Sequence, residues 1–227
     1  MKRVLRFFRL AEYGGDELFI GLLAFSGLAS ALCAWGNQWL ALLTLPPFGI
    51  MLWFFRDPNR SISVAPDVFL APADGTVTDI MEVDEPEFIQ GRALRLGIFL
   101  SPFNVHVNRV PCSGLARLVK YQAGEFLPAY NPEAPTRNES VALGIETPNG
   151  LRILIKQISG VLARRIVCEV QPGETLAIGQ RYGMIKFGSR TELYVPISAQ
   201  ITPLVSVGTK VKGGLSPFCR VAVSAQE

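Results

Sequence analysis

One peptide bond in this sequence could do unusual chemistry, the bond that joins Gly188 to Ser189. Glycine has no Cβ, so a nucleophile can approach its carbonyl group closely. A serine hydroxyl held against the preceding carbonyl can attack it and convert the amide into an ester. Elimination of that ester cuts the chain and leaves dehydroalanine, which becomes a pyruvoyl group. The alternative is an ordinary Gly-Ser turn between two strands.

Self-cleavage of this kind needs a base and a stabilised oxyanion beside the nucleophile. His106 is the only histidine in the chain, so any imidazole chemistry must pass through it. Its ordinary pKa of about 6.5 suits proton transfer near neutral pH. The alternative is a structural histidine in an apolar strand. A single histidine without paired cysteines also makes a zinc site a poor prediction, and we expect no metal.

Four separated motifs follow one another along the chain, and together they are far more specific than any one alone. They are Phe54–Pro58, Ala71–Gly75, Leu100–Pro111 and Phe187–Arg190. Their order resembles that of the phosphatidylserine decarboxylase proenzymes, most closely the short form of that family. The resemblance implies that a pyruvoyl group decarboxylates phosphatidylserine to phosphatidylethanolamine and CO2 in phospholipid biosynthesis, after self-cleavage.

The resemblance also implies roles for particular residues. Ser189 would become the pyruvoyl group and form a Schiff base with the substrate amine, which makes the ketone an electron sink. His106 would return a proton to the substrate carbon, and Asp74 would be its acidic partner, although Asp before Gly is also a common turn residue. Longer members carry His-x-x-His-x-Pro, and here Arg109 stands at the second histidine position. The base for self-cleavage is therefore open, and Arg109 is a weak candidate for substrate binding.

Cleavage would divide the chain into a β chain of residues 1–188 and an α chain of residues 189–227. We expect the two to stay together as a heterodimer, because the strands that flank the cut would belong to one sheet. Assembly into a higher oligomer stays open. The net charge of +3 is too small and too dispersed to indicate a nucleic-acid partner.

The N-terminal segment, residues 1–60, predicts attachment to a membrane. No charged residue occurs from 18 to 55, and basic residues stand on both sides of this apolar run. The length allows two short helical passes, roughly 18–35 and 38–55, that turn at Gly36 and Asn37. Pro46 and Pro47 could kink the second pass. The flanking arginines predict that both ends, and the catalytic domain, lie on the cytoplasmic side of the cell membrane. This orientation requires an even number of passes or a hairpin that only dips into the bilayer.

Arg56 and Arg60 directly follow the apolar run. At that position they could bind the phosphate of a phospholipid substrate. Their alternative role is that of charges flanking a membrane segment.

Residues 61–227 predict a mainly β domain, because short β-branched runs are broken by Gly and Pro. The predicted strands are Gly75–Val83, Ala93–Leu100, Leu115–Tyr121, Val141–Glu146 and Leu151–Ile158. The tail predicts a strand over Leu204–Val207, a turn at Gly208 and Thr209, and a short strand over Lys210–Lys212. Asn149-Gly150 predicts a type I′ hairpin turn, and residues 123–137 predict a loop with three prolines. The pattern of residues 161–170 leaves strand and helix open.

The stretches Pro72–Val77 and Val207–Val211 are similar to sequence motifs of lipoyl and biotinyl domains. They favour a barrel-sandwich-hybrid-like β domain behind the N-terminal apolar helical hairpin. The same likeness supplies an alternative function, a membrane-anchored adaptor module without enzymatic activity. Within the enzymes, a decarboxylase of another serine phospholipid is the other alternative.

Overall fold

The computed structural model describes residues 1–161, 165–186 and 189–222. Two compact units divide the chain, Met1–Asn59 and Arg60–Glu227. The first unit is helical, with α1 Lys2–Phe7, α2 Gly15–Ala34, α3 Gln38–Leu42 and α4 Leu45–Phe54. The second unit is built mainly from strands, and its one described α-helix is α5, Ala134–Arg137.

The N-terminal unit has one described helix that is long and apolar enough to cross a membrane, the stretch Glu12–Ala34. The chain turns after it at Gly36, whose φ of 77° is easily adopted only by glycine. The return leg spans the predicted residues, 38–54, but it is divided into α3 and α4. Pro46 and Pro47 lie in the first turn of α4, where a missing N–H is tolerated, so they begin a helix instead of kinking one.

Among the described residues, the second unit contains fourteen strands. In chain order they are β1 Val68–Leu70, β2 Gly75–Glu85, β3 Gly91–Leu100, β4 Val107–Arg109, β5 Gly114–Gln122, β6 Ser140–Glu146, β7 Arg152–Ile158, β8 Ile166–Cys168, β9 Thr175–Leu176, β10 Arg181–Ile185, β11 Ser189–Pro196, β12 Thr202–Pro203, β13 Lys210–Val211 and β14 Pro217–Arg220. They form an eight-stranded sheet, β13-β2-β3-β11-β7-β6-β5-β9, and two three-stranded sheets, β4-β10-β8 and β1-β14-β12. This architecture confirms the mainly β prediction.

Strand β11 lies in the middle of the eight-stranded sheet, antiparallel to β3 on one side and to β7 on the other. All eight of its residues are buried. Leu193 and Val195 point into the main hydrophobic core, together with Leu96 and Ile98 of β3. Because side chains alternate along a strand, the residues between them occupy the other face of the sheet.

Five of the predicted strands match β2, β3, β5, β6 and β7, with ends that differ by a few residues at most. The turn between β6 and β7 differs from the predicted type I′. Gly150 has a positive φ, whereas Asn149 is absent from the described non-glycine residues with positive φ. Gly150 N donates to Thr147 O, and Pro148 fixes the first central φ, so a type I turn precedes a left-handed glycine.

Two other segments also depart from the sequence predictions. No strand forms over Leu204–Val207, because the chain turns there, and Ser206 O accepts a hydrogen bond from Thr209 N. Within residues 161–170 the described strand is β8, and residues 162–164 lie outside the described part of the chain.

The strands that flank the predicted cut belong to different sheets, so the prediction of a shared sheet was wrong. β10 is the central strand of the sheet β4-β10-β8, whereas β11 is in the eight-stranded sheet. The chain from Ser189 onward is nevertheless bound to the preceding part through several ladders. β11 pairs with β3 and β7, β13 pairs with β2, and β14 pairs with β1.

These ladders predict that cleavage before Ser189 does not release the small fragment. Gel filtration of the cut protein in a non-denaturing detergent should give one peak that contains both fragments. Denaturing electrophoresis should separate them, because the strand pairings are then lost. Elution of the small fragment alone in the non-denaturing run would contradict this expectation.

Candidate active site

Ser189 is the first residue of β11 and is completely buried. Its Cα pairs with that of Leu100, the last residue of β3. The Ser189 Oγ atom is a buried hydroxyl with no hydrogen-bond partner among the described residues. A buried polar atom without a partner is costly, and such atoms in folded proteins often mark a catalytic or ligand-binding position. Gly188, the other half of the predicted cleavage site, lies outside the described residues.

His106 is also completely buried, and it lies next to the strand that leads toward Ser189. Strand β4 pairs with β10 up to Val107 and Met184, and Ile185 N then donates to His106 O at 3.4 Å. The ladder therefore reaches His106. Because side chains alternate along an extended strand, His106 and Asn108 project from the same face of this segment.

A chain of buried amides connects the His106 segment to the Ser189 strand. Asn108 Nδ2 donates to Thr191 Oγ1 at 3.2 Å, and Gln157 Nε2 donates to Asn108 Oδ1 at 2.8 Å. Thr191 lies two residues after Ser189, so both side chains project from the same face of β11. Gln157 Oε1 is buried and has no partner among the described residues. This link fixes the spacing between the two segments that carry the predicted catalytic groups.

The opposite face of β11 carries an ion network that begins at the residue after Ser189. The Arg190 guanidinium donates to Glu192 Oε1 at 2.7 Å, to Thr78 Oγ1 at 2.8 Å and to Asp79 Oδ2 at 2.5 Å. Gly97 makes room for this side chain, since a Cβ at that position would overlap the guanidinium. The first two residues of β11 after Ser189 are thus held from both faces of the sheet.

Charge pairing sets the protonation of this network. Burial by itself would raise the pKa of Asp79, but the charge of Arg190 and the hydrogen bonds from Arg190 and Thr78 outweigh it and lower that pKa. Burial would lower the pKa of Arg190, and the charges of Glu192 and Asp79 raise it instead. Asp79 and Arg190 are therefore both charged at neutral pH, and each charge offsets part of the cost of burying the other.

Asp74 is buried and forms a two-point ion pair with Arg60. Arg60 Nη1 donates to Asp74 Oδ1 at 2.6 Å, and Nη2 donates to Oδ2 at 2.8 Å. Asp74 Oδ1 also accepts from Gly213 N at 2.8 Å, and Arg60 Nη1 donates to Gly213 O. Both carboxylate oxygens are occupied in this arrangement. The role of Asp74 as acidic partner of His106 stays a prediction.

The arginines predicted to bind substrate lie in different surroundings. The Arg60 side chain is 4% exposed because of its pairing with Asp74. Arg109 is buried, and its Nη1 donates to Gly179 O at 3.3 Å. In the N-terminal unit, the Arg56 guanidinium lies 3.9 Å from the centre of the Trp53 ring and donates to Trp53 O. Their roles toward a lipid phosphate stay predictions.

Sequence reasoning missed Asn108, Thr191 and Gln157, and it gave no role to Arg190. A signal for Asn108 was present, because it stands two residues after His106 in the alternating stretch Val105-His106-Val107-Asn108, which places both on one face of an extended strand. No signal in the sequence could pair it with Gln157, since 49 residues separate the two. Such pairs become visible only once the strand register is known.

Two further observations bound the site. A cavity of about 520 Å³ is lined by residues around Cys112 and the turn Thr147–Leu151, and no described residue of the predicted site lines it. The cavity is therefore separate from the predicted catalytic groups.

Among the described residues, no cluster of three or more His, Cys, Asp or Glu side chains could hold a metal ion.

Comparison with known proteins places the motifs in a family. Residues 48–218 match the family described as "Phosphatidylserine decarboxylase". The chain is 44% identical over 195 residues to the phosphatidylserine decarboxylase proenzyme of Carboxydothermus hydrogenoformans, covering 86% of this chain and 91% of that protein. It is 40% identical over 196 residues to the proenzyme of Desulfotalea psychrophila, covering 86% and 90%. The Salinibacter ruber proenzyme is 42% identical over 190 residues, covering 79% and 84%.

The amide link predicts that the Thr191 hydroxyl controls the position of Ser189. Thr191→Val keeps the shape but leaves the Asn108 N–H buried without an acceptor, at a cost of about 1–3 kcal/mol. We expect self-cleavage to slow by about tenfold, whereas Thr191→Ser, which keeps the hydroxyl, should cut at nearly the native rate. The appearance of fragments after synthesis in a cell-free system measures both. Equal cutting by the native protein and Thr191→Val would contradict the role.

The lowered pKa of Asp79 predicts a pH-dependent contribution to stability. A carboxyl group with a depressed folded-state pKa stabilises the fold above its ordinary pKa of 3.8, and that contribution is lost as pH falls through the folded-state value. In the uncut Ser189→Ala protein, Asp79→Asn should lower the free energy of unfolding by about 1–3 kcal/mol at pH 7. The difference should persist down to about pH 4 and shrink as pH falls further, because Asp79 then becomes protonated in both states.

Urea titrations at several pH values measure this difference. Asp84→Asn is the matched control, because Asp84 is 84% exposed and its oxygen lies 3.7 Å from Arg92. An exposed pair of this kind contributes little to stability. A deficit of the Asp79 variant that is constant with pH would contradict the assignment.

Proposed function

The chain belongs to the phosphatidylserine decarboxylase family, and we propose that it cuts itself before Ser189 and then converts phosphatidylserine to phosphatidylethanolamine and CO2. The observation that carries this proposal is Ser189 itself. It combines complete burial, a hydroxyl without a partner among the described residues, and a place at the start of the central strand. A serine in an ordinary turn would not need the contacts that hold the next two residues, Arg190 and Thr191, on both faces of the sheet.

In the proposed self-cleavage, the Ser189 Oγ atom attacks the carbonyl carbon of Gly188 and displaces the Ser189 nitrogen, so that an ester replaces the amide. Loss of the proton on the Ser189 Cα then expels the Gly188 carboxylate and leaves dehydroalanine at position 189. Addition of water releases ammonia and gives the pyruvoyl group. The steps balance without an external oxidant or reductant, so the chain needs only proton transfer and a fixed geometry.

His106 is the proposed proton carrier. It is the only imidazole in the chain, and its backbone is joined to β10, which leads to the cut. During decarboxylation it would return a proton to the substrate carbon. Arg109 occupies the position of the second histidine, so the base for self-cleavage must be assigned separately. We propose His106 for that step too.

The Ser189 surroundings fit a pyruvoyl group. Once formed, this group supplies the electron sink for decarboxylation, as pyridoxal phosphate does in other enzymes. Ser189 Oγ and Gln157 Oε1 are buried polar atoms that lack partners among the described residues. The substrate amine can donate to Gln157 Oε1, and the Ser189 Oγ atom leaves with the Gly188 carboxylate when the chain is cut. The side-chain contacts on both faces of β11 would keep the new chain end from fraying.

We propose that the helical unit attaches the enzyme to the cell membrane, with the β domain on the cytoplasmic side. The stretch Glu12–Ala34 is long and apolar enough to span a bilayer. Basic residues before it, and Arg56 and Arg60 after the return leg, favour a cytoplasmic position for both ends. A diacyl phospholipid substrate gives this attachment a purpose, because a substrate of that kind resides in the bilayer. The cut chain would act as a heterodimer of residues 1–188 and 189–227.

Replacement of Ser189 tests the proposal directly. Ser189→Ala should give one uncut chain with no measurable CO2 release, because alanine has no nucleophile and cannot form a ketone. Intact-mass measurement and CO2 release from labelled phosphatidylserine provide the two readouts. The native protein should give a small fragment that begins at position 189 and lacks a free amino terminus.

His106→Gln should fold and lose decarboxylation, and its rate of cutting shows whether the histidine also serves the first step. A native protein that stays in one piece would favour the non-enzymatic adaptor. Release of CO2 from the uncut Ser189→Ala chain would contradict the proposed chemistry. Serine lipids with other backbones, supplied to the native enzyme, test the alternative substrate.

A further inference from the structure

The strands of the large sheet end in a common row next to Ser189. Arg190 of β11 pairs with Phe99 of β3 and with Ile158 of β7, and Ile158 pairs in turn with Ser140 of β6. Ser140 pairs with Gln122, the last residue of β5. The segments that continue from these strands therefore leave the sheet at the same end, the end where β11 begins.

Segments on both sides of Ser189 carry exposed hydrophobic side chains. Next to β3, the turn 101–104 is closed by Asn104, whose side-chain oxygen accepts from Ser101 N, and Phe103 at its tip is 73% exposed. Beyond β7, Val161 is 50% exposed.

The proline-containing loop 123–137 adds two more exposed side chains, Phe126 at 40% and Tyr130 at 77%. This loop is held at the same end of the sheet by Asn138, whose side chain donates to Leu127 O and to Ser159 O. Ser159 directly follows β7, and the register places it opposite Ser189. We call Phe103, Phe126, Tyr130 and Val161 the apolar rim.

The other end of the sheet has no such residues. Its connections are residues 86–90, 147–151 and 197–201. None of the large hydrophobic side chains in these three described segments is among the exposed ones. Polar residues such as Glu87, Asn149 and Gln200 are exposed there instead. Of the two sets of connections, those at the catalytic end of the sheet therefore carry the exposed large hydrophobic residues.

We infer that the apolar rim is a docking surface which inserts into the surface of a phospholipid bilayer and brings Ser189 to the lipid headgroups. This inference rests on the proposed function. The substrate explains the position of the rim, because its serine headgroup must reach a buried residue while its acyl chains stay in the bilayer. Aromatic side chains are favoured at the boundary between water and hydrocarbon. Side chains spread around a site fit a continuous lipid surface better than one compact protein partner.

The test compares two substrates for the same enzyme. The full-length protein is placed in nanodiscs that either contain long-chain phosphatidylserine or lack serine lipids and receive a water-soluble short-chain phosphatidylserine. The variant Phe103→Ser/Tyr130→Ser removes the two most exposed members of the rim, at 73% and 77%. Met81→Ser/Leu204→Ser is the matched control, because these residues are 45% and 40% exposed and lie outside the rim.

The rim variant should cut itself as the native protein does. It should lose about tenfold or more in turnover of the long-chain lipid, which corresponds to a modest loss of interaction free energy, and keep turnover of the short-chain lipid within about twofold. The control variant should retain both activities. Attachment to the nanodisc is not used as a readout, because the helical unit would supply it in every variant.

A second measurement reports directly how deeply the apolar rim inserts into the bilayer. In a Cys33→Ser background, a fluorophore on Phe103→Cys should be quenched by lipids that carry a quencher on the acyl chain, and a fluorophore on Met81→Cys should not. Cys33 is the exposed cysteine, and burial raises the pKa of the Cys168 thiol and makes it less reactive.

Three results would overturn the inference: equal loss on both substrates, no loss on either, or no difference in quenching between the two positions. A change in the oligomeric state of the rim variant with unchanged long-chain turnover would identify a contact between copies of the chain instead. Failure of the native enzyme on both lipids would count against the proposed function and is distinguishable from these outcomes.

Discussion

The pairing of β11 with β3 and β7 fixes the position of the predicted nucleophile. Ser189–Pro196 pair residue by residue with β3, and Arg190–Tyr194 pair with β7. A slip of one residue would exchange the two faces of the strand. Arg190 and Glu192 would then enter the hydrophobic core, and Leu193 would leave it. Because burying unpaired charges is far more costly than losing one apolar contact, the register is strongly specified.

The same alternation gives Ser189 support from two chemically different sources. On the core face, Thr191 is held by Asn108 and Gln157 through neutral hydrogen bonds. On the other face, Arg190 is held by charges that compensate one another. A new chain end at position 189 would ordinarily fray, because termini lose order unless they are tied down. These contacts act within two residues of that end, so the fold contains what a cut strand needs to stay in place.

Much of the fold was predictable because it depends on local patterns. The five strands from β2 to β7 that were predicted carry β-branched runs between turn residues, and the N-terminal helix carries an uninterrupted apolar stretch. The predicted type I′ turn was wrong because Pro148 constrains the backbone before Asn149-Gly150. The assignment of both flanking strands to one sheet was wrong for a different reason. Local sequence carries no information on which sheet a strand joins, and that choice is made by long-range packing.

The features of the site also divide into those that depend on local sequence and those that depend on long-range packing. The Gly188-Ser189 pair and the single histidine, His106, could be recognised as candidate reactive groups without knowledge of the fold. The ion pair between Arg60 and Asp74, and the links from Asn108 to Gln157 and Thr191, join segments that are far apart in the chain. The sequence identified reactive groups, whereas the groups that hold them in place required the strand register.

The contacts of Asp74 limit how acid–base chemistry can operate here. Its two oxygens accept from Arg60, and one of them also accepts from Gly213 N, on the segment that would become the small chain. Arg60 donates in turn to Gly213 O. Oδ1 accepts two of these hydrogen bonds and Oδ2 accepts one, so an imidazole that Asp74 orients would have to donate to Oδ2. In this arrangement the ion pair connects Gly213, which follows the predicted cut, to Arg60 and Asp74, which precede it, and the role of Asp74 toward His106 stays a prediction.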